Sequence, residues 1–232
     1  MAEKIRYTRR DLKEPDEFFS TFGRAVAWCK ENRSKVVAGT LGVVAVVALA
    51  FGTRAYLQWE ENKASQELWP QLNRAQEILR APSAADPSTV AATEQSLQAL
   101  VNLHPDTRST VYARYYLGAI AFARGDYDLA LSRFRAGIAT GKETGIMKFL
   151  LRQGIASSME AKGDFIAASV SYREAGTFAG TGMKTQSRLG EARVLALAGK
   201  KTDAAALYRL ILTENPETPL RDLVEIRLAQ TE

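Results

Sequence analysis

The chain has 232 residues, with 31 Lys and Arg against 26 Asp and Glu and a formal net charge of +5. Nine basic and six acidic residues fall within positions 1–35, and the rest of the chain is nearly balanced, so the basic excess does not indicate a nucleic-acid partner. With one cysteine and one histidine in the sequence, an intrachain disulfide and a thiolate metal site are excluded.

The first 35 residues predict a mixed-charge tail that ends in an amphipathic helix. Met1–Lys13 has the composition of a disordered segment. Glu14–Glu17 combines a proline with acidic residues, which is typical of a helix start. Basic residues flank an apolar face of the helix that follows. That face comprises Phe18, Phe22, Ala25, Val26 and Cys29. The pattern predicts a helix that lies on anionic lipid or docks on a partner protein.

An uncharged apolar segment follows at Val36–Thr53, which reads VVAGTLGVVAVVALAFGT between Lys35 and Arg54. As a helix it would be about 27 Å long, close to the thickness of the hydrocarbon core of a bilayer. The alternative, a buried helix of a soluble core, does not explain why the segment lacks a polar face. We therefore predict a single transmembrane helix.

The charges around this segment predict its orientation. Basic residues are concentrated before it, and the positive-inside rule therefore places the N-terminus in the cytoplasm. The predicted organisation is a cytoplasmic tail (1–35), a transmembrane helix (36–53) and a periplasmic domain (54–232). The predicted location is the bacterial inner membrane, crossed once.

Signal-peptide cleavage is the alternative to an anchor. Ala48–Ala50 fits the small-x-small pattern of a cleavage site, and cleavage after Ala50 would release a soluble secreted protein. The preceding region is long and contains acidic residues, and the apolar run continues past the cut. These features favour an uncleaved anchor.

The distal domain predicts helices and internal repeats. Helical patterns at Ala55–Leu79 and Ser88–Leu103 are separated by a proline-containing break. Three later turn glycines, Gly125, Gly163 and Gly199, are 38 and 36 residues apart. This spacing is close to the tetratricopeptide period of about 34 residues.

Each repeat places a small residue seven positions before its turn glycine, another small residue five after it, and an aromatic residue nine after it. These residues are Gly118, Ala130 and Phe134 in the first repeat, Ala156, Ala168 and Tyr172 in the second, and Ala192, Ala204 and Tyr208 in the third. Small residues allow two helices to cross closely, as at Gly118 and Ala130, and the aromatic residue then packs against the next helix pair. Glu191 weakens the third repeat because leucine is expected there.

The predicted fold class is all-α, with one N-terminal transmembrane helix followed by a tetratricopeptide-like α-solenoid. The solenoid has a degenerate first repeat, whose second helix is Ser88–Leu103, then three repeats and a capping helix at Pro219–Ala229.

Such arrays bind polypeptides on the concave face formed by the first helix of each repeat. The repeat positions predict a partner-binding face made of Tyr112, Tyr115, Phe122, Gln153, Ser157, Glu160, Gln186 and Arg193. Tyrosine is common at protein interfaces, but Tyr115 and Phe122 have the alternative of packing within the array.

No enzyme site is predicted, and no catalytic, metal-binding or cofactor-binding residue is proposed. His104 is interpreted as a helix-end residue before Pro105. The carboxylates of Asp126, Asp164 and Glu160 are interpreted as turn or solvent residues from their positions in the repeats. Gly180–Thr185 is glycine-rich like a phosphate loop, but Met183 interrupts the pattern and no strand precedes it. We interpret it as a loop between repeats.

The architecture resembles the ancillary subunit of the bacterial Sec translocon, the YfgM type. The resemblance rests on the segment CKENRSKVVAGTLG, on the aromatic-bearing exit at Arg54–Trp59, and on the repeat domain beyond one span. It implies an adaptor that associates with the Sec translocon and with periplasmic chaperones and assists newly exported polypeptides. The alternative is a scaffold for another envelope assembly, such as the division or outer-membrane machinery.

The span itself predicts a second contact surface. One helical face carries small residues around a leucine, and small residues let a second membrane helix approach closely. This face comprises Ala38, Gly42, Ala45, Leu49 and Gly52.

Overall fold

The computed structural model describes residues 17–231, with side chains from Phe22 onward except that of Thr181. The expected disorder of Met1–Lys13 and the expected helix start at Glu14 lie outside these residues. Within them, the regular structure is helical. The helices are α1 (Glu17–Glu31), α2 (Arg33–Arg80), α3 (Pro87–Leu103), α4 (Arg108–Ala123), α5 (Tyr127–Ala139), α6 (Ile146–Ala161), α7 (Phe165–Thr177), α8 (Thr181–Leu197), α9 (Lys201–Glu214) and α10 (Arg221–Ala229). The chain divides into two compact units, Met1–Leu57 and Gln58–Glu232.

The first unit contains α1 and the apolar part of α2. This part of α2 is long and apolar enough to cross a membrane, and none of its apolar window is buried in the chain. Apart from half-buried Val36, its valines, leucines and Phe51 are exposed, with Leu49 70% and Phe51 71% accessible. Lipid is the environment in which such side chains lose contact with water. The predicted span 36–53 and the predicted helix 55–79 both fall within the residues of α2.

The second unit is built from helix pairs. The later part of α2 shares a core with α3 and α4 that includes Leu68, Leu72, Leu97 and Leu117. The pairs α4–α5, α6–α7 and α8–α9 follow, and α10 packs on α9. Each of these three pairs turns at a glycine with positive φ: 81° at Gly125, 82° at Gly163 and 78° at Gly199. Glycine adopts this conformation without steric cost, so the predicted turns are confirmed.

The residues after the turn glycines explain where the second helices begin. The side chains of Asp126 and Asp164 cap α5 and α7 by accepting hydrogen bonds from the backbone N–H groups of Leu129 and Ala167. Lys200 occupies the same position before α9 and makes no side-chain cap bond. The third repeat therefore keeps the turn and lacks the cap.

The aromatic residue of each repeat is buried, as predicted, at exposures of 2% for Phe134, 3% for Tyr172 and 1% for Tyr208. The ring of Phe134 fits between two glycines. A Cβ added at Gly118 of the same repeat would lie 2.7 Å from this ring, and one added at Gly154 of the next repeat would lie 2.6 Å from it. The three atoms nearest to a Cβ at Gly118 therefore all belong to the ring of Phe134, and none belongs to Ala130, the neighbour expected from the sequence.

Glu191 has a specific partner in the third repeat. The carboxylate is buried where leucine was expected, and it pairs with Arg173 of α7 at 2.7 Å. The ion pair provides the charge partner that a buried carboxylate requires.

Candidate partner-binding surface

The eight residues predicted to form the partner-binding face lie on the first helices of the three repeats. Tyr112, Tyr115 and Phe122 belong to α4, Gln153, Ser157 and Glu160 to α6, and Gln186 and Arg193 to α8. We call this set the first-helix face. Its α4 residues are aromatic and its other residues are polar.

The aromatic part of the first-helix face also packs within the array. The ring of Tyr115 lies 5.3 Å from that of Tyr116 and 5.9 Å from that of Phe134. The ring of Phe122 lies 5.4 Å from that of Tyr127. Burial, reinforced by Tyr116, raises the pKa of Tyr115. These half-buried rings stabilise the repeat, and only part of their surface is exposed.

Three polar residues of the first-helix face, Ser157, Glu160 and Arg193, form a connected hydrogen-bond network with Tyr172 of α7. Arg193 of α8 donates from Nε and Nη2 to the two carboxylate oxygens of Glu160 of α6, both at 2.7 Å. The hydroxyl of Tyr172 donates to Glu160 at 2.7 Å and lies 3.1 Å from the hydroxyl of Ser157. A bidentate pair of this kind fixes the relative position of two helices more strictly than a point charge does.

The network changes the ionisation of its members. Burial is the largest cause that raises the pKa of Tyr172, to about 12, and the hydrogen bond from Ser157 opposes the shift while Glu160 adds to it. The hydrogen bond to Glu160 raises the pKa of Arg193 against the effect of burial. Glu160 is therefore a bonded, half-buried carboxylate, and its interpretation as a turn or solvent residue is wrong.

The two glutamines of the first-helix face differ in environment. Gln186 is exposed. Gln153 is half-buried, and its buried Oε1 accepts no hydrogen bond within the described part of the chain.

All five residues of the predicted span contact are exposed on α2. A Cβ added at Gly42 or Gly52 would meet no atom within 4 Å. The stripe is thus unoccupied by the described part of the chain, and its contact with a second membrane helix stays a prediction.

Gly180–Thr185 is largely helical, so its interpretation as a loop is wrong. Gly180 precedes the helix in an extended conformation, and α8 begins at Thr181. The backbone N–H of Lys184 donates to the carbonyl of Gly180 at 2.9 Å. Thr185 is buried, whereas Gly182, Met183 and Lys184 are exposed. A glycine costs a helix only about 1 kcal/mol relative to alanine, so Gly182 does not keep this turn out of the helix.

Sequence reasoning missed a cluster of carboxylates on α2. Glu61 accepts hydrogen bonds from the backbone N–H groups of Arg108 and Ser109, at 2.7 and 3.0 Å, and so caps α4. Glu60 lies 2.6 Å from Nδ1 of His104, which is buried and ends α3 as predicted. These contacts join residues more than 40 positions apart, and no local pattern reveals them.

Sequence reasoning also missed the glycines that receive the aromatic rings. Gly154 and Gly190 each lie nine residues before a turn glycine. A Cβ at Gly190 would lie 2.8 Å from the ring of Tyr172, as one at Gly154 would lie 2.6 Å from Phe134. Their identical spacing from the turn glycine is the sequence signal that could have identified them.

Comparison with known proteins identifies the fold. No family model and no curated protein matches the sequence. A solved structure of nearly identical TPR-like repeats, from a protein assigned as a kinesin light chain in Podosopora anserina, matches with a TM-score of 0.58. The match covers 71% of this chain and 84% of that one at 15% identity. The chain has a tetratricopeptide-like fold. At this identity the likeness concerns the fold alone, and an array of this fold is typical of protein–protein interaction.

No group of three or more His, Cys, Asp or Glu side chains suited to a metal ion occurs among the described residues. The first-helix face itself consists of aromatic rings, two amides, a hydroxyl and one ion pair.

Proposed function

We propose that this protein is a membrane-anchored periplasmic adaptor that associates with the Sec translocon and binds exported polypeptides and periplasmic chaperones. The observation that carries the proposal is the joining of an exposed apolar helix to a tetratricopeptide-like array in one chain. The resemblance to the YfgM-type subunit in the tail and span supports the choice of the translocon.

The first-helix face supports a polypeptide ligand. It combines half-buried aromatic rings on α4 with amide and hydroxyl groups on α6. Aromatic anchors surrounded by polar groups are typical of protein interfaces. The bonds of Glu160 and Arg193 to each other fix α6 against α8, which keeps this face rigid and lowers the entropic cost of binding.

The test of the proposal is co-purification of the full chain in mild detergent. The adaptor function predicts recovery of translocon subunits together with a periplasmic chaperone. Recovery of a division or outer-membrane assembly in their place would favour the scaffold function. A mature protein that begins after Ala50 would contradict the anchor and indicate a secreted protein.

The span stripe gives this experiment a matched pair of variants. Gly42→Leu fills the small-residue face, whereas Val46→Leu enlarges a residue on another side of the helix. Recovery of the translocon should fall with Gly42→Leu and stay unchanged with Val46→Leu. Equal recovery from both variants would assign recognition to α1 or to the repeat domain and reduce the span to a tether.

The proposed orientation is tested through Cys29, which is exposed on α1. A membrane-impermeant thiol reagent should leave Cys29 unlabelled in cells with a permeabilised outer membrane. In a Cys29→Ser background, cysteine substituted for Lys201 on the repeat domain should be labelled. The reverse pattern would overturn both the orientation and the compartment.

A further inference from the structure

The part of α2 within the second unit has an exposed face without charged residues. Amide side chains and one tryptophan form this face, three or four positions apart. They are Gln58, Asn62, Gln66, Trp69, Asn73 and Gln76. All of them are exposed, and at about 100° per residue they fall within an arc of about 80°. We call this set the amide stripe.

The charged residues in the same part of α2 lie on its other faces. Those between the first and last members of the stripe are Glu60, Glu61, Lys63, Glu67 and Arg74. By the same helical geometry, each of them lies at least about 60° outside the stripe. The cores of protein interfaces differ from the remaining surface in having few charges and more tryptophan. An uncharged stripe around a tryptophan that is 63% exposed therefore indicates an interaction surface.

The hydrogen-bonding groups of the amide stripe are only partly used within the chain. Gln58 donates from Nε2 to Oδ1 of Asn62 at 3.0 Å, and Gln76 donates from Nε2 to the hydroxyl of Tyr116 at 3.0 Å. An amide has two N–H donors and an acceptor oxygen, so each of these bonds occupies one group of several. The stripe therefore offers donors and acceptors together, and it has no charge with which to select a charged ligand.

The length of the amide stripe fits a short extended polypeptide. From Gln58 to Gln76 the helix rises by about 27 Å, which equals about eight residues of an extended chain. Neighbouring amides are separated by a rise of about 4.5–6 Å, and equivalent backbone groups of an extended chain recur about every 6.6 Å. This difference lies within the reach of flexible Asn and Gln side chains. The N–H and C=O groups of an extended backbone are the donors and acceptors that such amides can pair with.

We infer that the amide stripe binds an extended, unfolded segment of another polypeptide through its backbone, with Trp69 as an apolar anchor for one of its side chains. Recognition of the backbone tolerates many sequences, because the main-chain hydrogen bonds supply the affinity. The stripe also adjoins the first-helix face. Tyr116, which accepts the bond from Gln76, has its ring 5.3 Å from that of Tyr115.

This inference deepens the proposed function and rests on it for the source of the ligand, an exported polypeptide. Gln58 follows the end of the predicted span at Thr53 by five residues, so the chain between them extends over no more than about 18 Å. The amide stripe thus begins within reach of a segment that has just left the membrane.

The test uses the full chain in nanodiscs of zwitterionic lipid and measures fluorescence anisotropy, corrected for empty nanodiscs. The probe is a labelled, end-capped peptide of about ten residues without charge, rich in Thr, Ser and Val and with one leucine, so that it favours the extended conformation. A second probe has the same composition in another order. A third probe has N-methyl groups at alternate residues, which remove the N–H donors from one side of the extended chain.

The three probes separate recognition of the backbone from recognition of the sequence. The first two should bind equally, and the N-methylated probe should bind at least about 10-fold more weakly because several hydrogen bonds are lost. Trp69→Ala should weaken binding of the first probe at least about 10-fold. Gln66→Ala combined with Asn73→Ala should weaken it several-fold.

Two control variants match these changes in kind. Leu103→Ala removes another apolar side chain, 66% exposed, from α3. Arg74→Ala combined with Glu77→Ala removes two exposed polar side chains of α2 that do not belong to the stripe. Both controls should bind the first probe as the unmodified chain does.

Several results would overturn the inference. These are no saturable binding of the first probe, equal binding of the N-methylated probe, or an equal loss of affinity in the controls. Unchanged binding by Trp69→Ala would place the peptide elsewhere, such as on the first-helix face, and a concentration-dependent dimer that Trp69→Ala abolishes would assign the stripe to a second copy of this chain. Circular dichroism checks that the variants fold, and the comparison of the first and third probes needs no variant.

The proposed function can fail separately. If the unmodified chain binds the first probe as expected but recovers no translocon in the co-purification, the adaptor function is contradicted and the amide stripe is not. If the translocon is recovered and the peptide is not bound, the stripe alone is contradicted.

Discussion

Substitution of Gly154 by alanine is expected to disturb the joint between the first and second repeats. A Cβ at this position would lie 2.6–2.8 Å from three carbons of the Phe134 ring. The ring cannot move away freely because a Cβ position on its other neighbour, Gly118, is already 2.7 Å from it. The backbone of α4 or α6 must therefore shift to admit one methyl group.

Two opposing effects set the size of the change. Replacing a mid-helix glycine by alanine stabilises a helix by about 1 kcal/mol. Overfilling a packed core costs about 1–3 kcal/mol, and here the contact is with a ring held on both sides. Because the ring is held on both sides, we expect a cost in the upper part of this range, about 2–3 kcal/mol, and hence a net destabilisation of about 1–2 kcal/mol.

Urea unfolding of a fragment of residues 58–232, followed by circular dichroism, measures this loss. Gly176→Ala is the control, because its Cβ would lie 3.4 Å from Ser187 in ordinary contact, and this variant should be neutral or slightly more stable. Combining Gly154→Ala with Phe134→Leu should cost less than the sum of the single changes, because the smaller side chain relieves the overlap. Equal stabilities for Gly154→Ala and Gly176→Ala would refute this reasoning.

Three further predictions concern the packing, ionisation and capping of the repeat domain. Ala168→Leu, at a fully buried position, should destabilise the same fragment by about 1–3 kcal/mol or more. Lys201→Ala, at an exposed helix start, should leave the melting temperature of the fragment unchanged. Equal melting temperatures for these two variants would count against the repeat assignment. Because the pKa of Tyr172 is raised from 10.0 to about 12, its protonated hydroxyl stabilises the fold below the unfolded pKa, and this contribution is lost as the pH rises from about 10 through about 12. Tyr172→Phe should therefore show a shallower loss of stability over that range, and identical alkaline unfolding curves would contradict the assignment. Glu61→Ala should cost about 0.5–2 kcal/mol, because it removes the acceptor of two N–H groups in the first turn of α4 while the N-cap bond of Thr107 remains. It should also speed hydrogen exchange at the Arg108 and Ser109 amides, whereas Glu77→Ala at an exposed site on α2 should not. Unchanged exchange in Glu61→Ala would show that these two bonds contribute nothing.

Most of the fold could be predicted from the repeat period. Gly125, Gly163 and Gly199 occur where positive φ is required, and the aromatic residue nine positions later is buried in every repeat. These features depend on local geometry and on contact between neighbouring helix pairs, so a spacing rule predicts them.

The side-chain contacts between helices depend on how successive helix pairs are rotated against each other, and a spacing rule does not specify that rotation. Glu160 and Arg193 were placed on one face by their repeat positions, but their bidentate bond joins residues 33 positions apart. The contact between Glu60 and His104 is also long-range. Glu191 departs from the repeat pattern, and its compensation by Arg173 appears only when α7 and α8 are packed.

The most direct test of the adaptor function is photo-crosslinking in intact bacterial cells, with a photoreactive amino acid at Gln186 of the full chain. Gln186 is exposed on the first-helix face, and Lys201 is exposed at the start of α9 and serves as the matched control position. The adaptor function predicts adducts of Gln186 with exported polypeptides, a periplasmic chaperone or a translocon subunit, and few or none of these from Lys201. The same adducts from both positions, or adducts of Gln186 with cytoplasmic proteins alone, would contradict it.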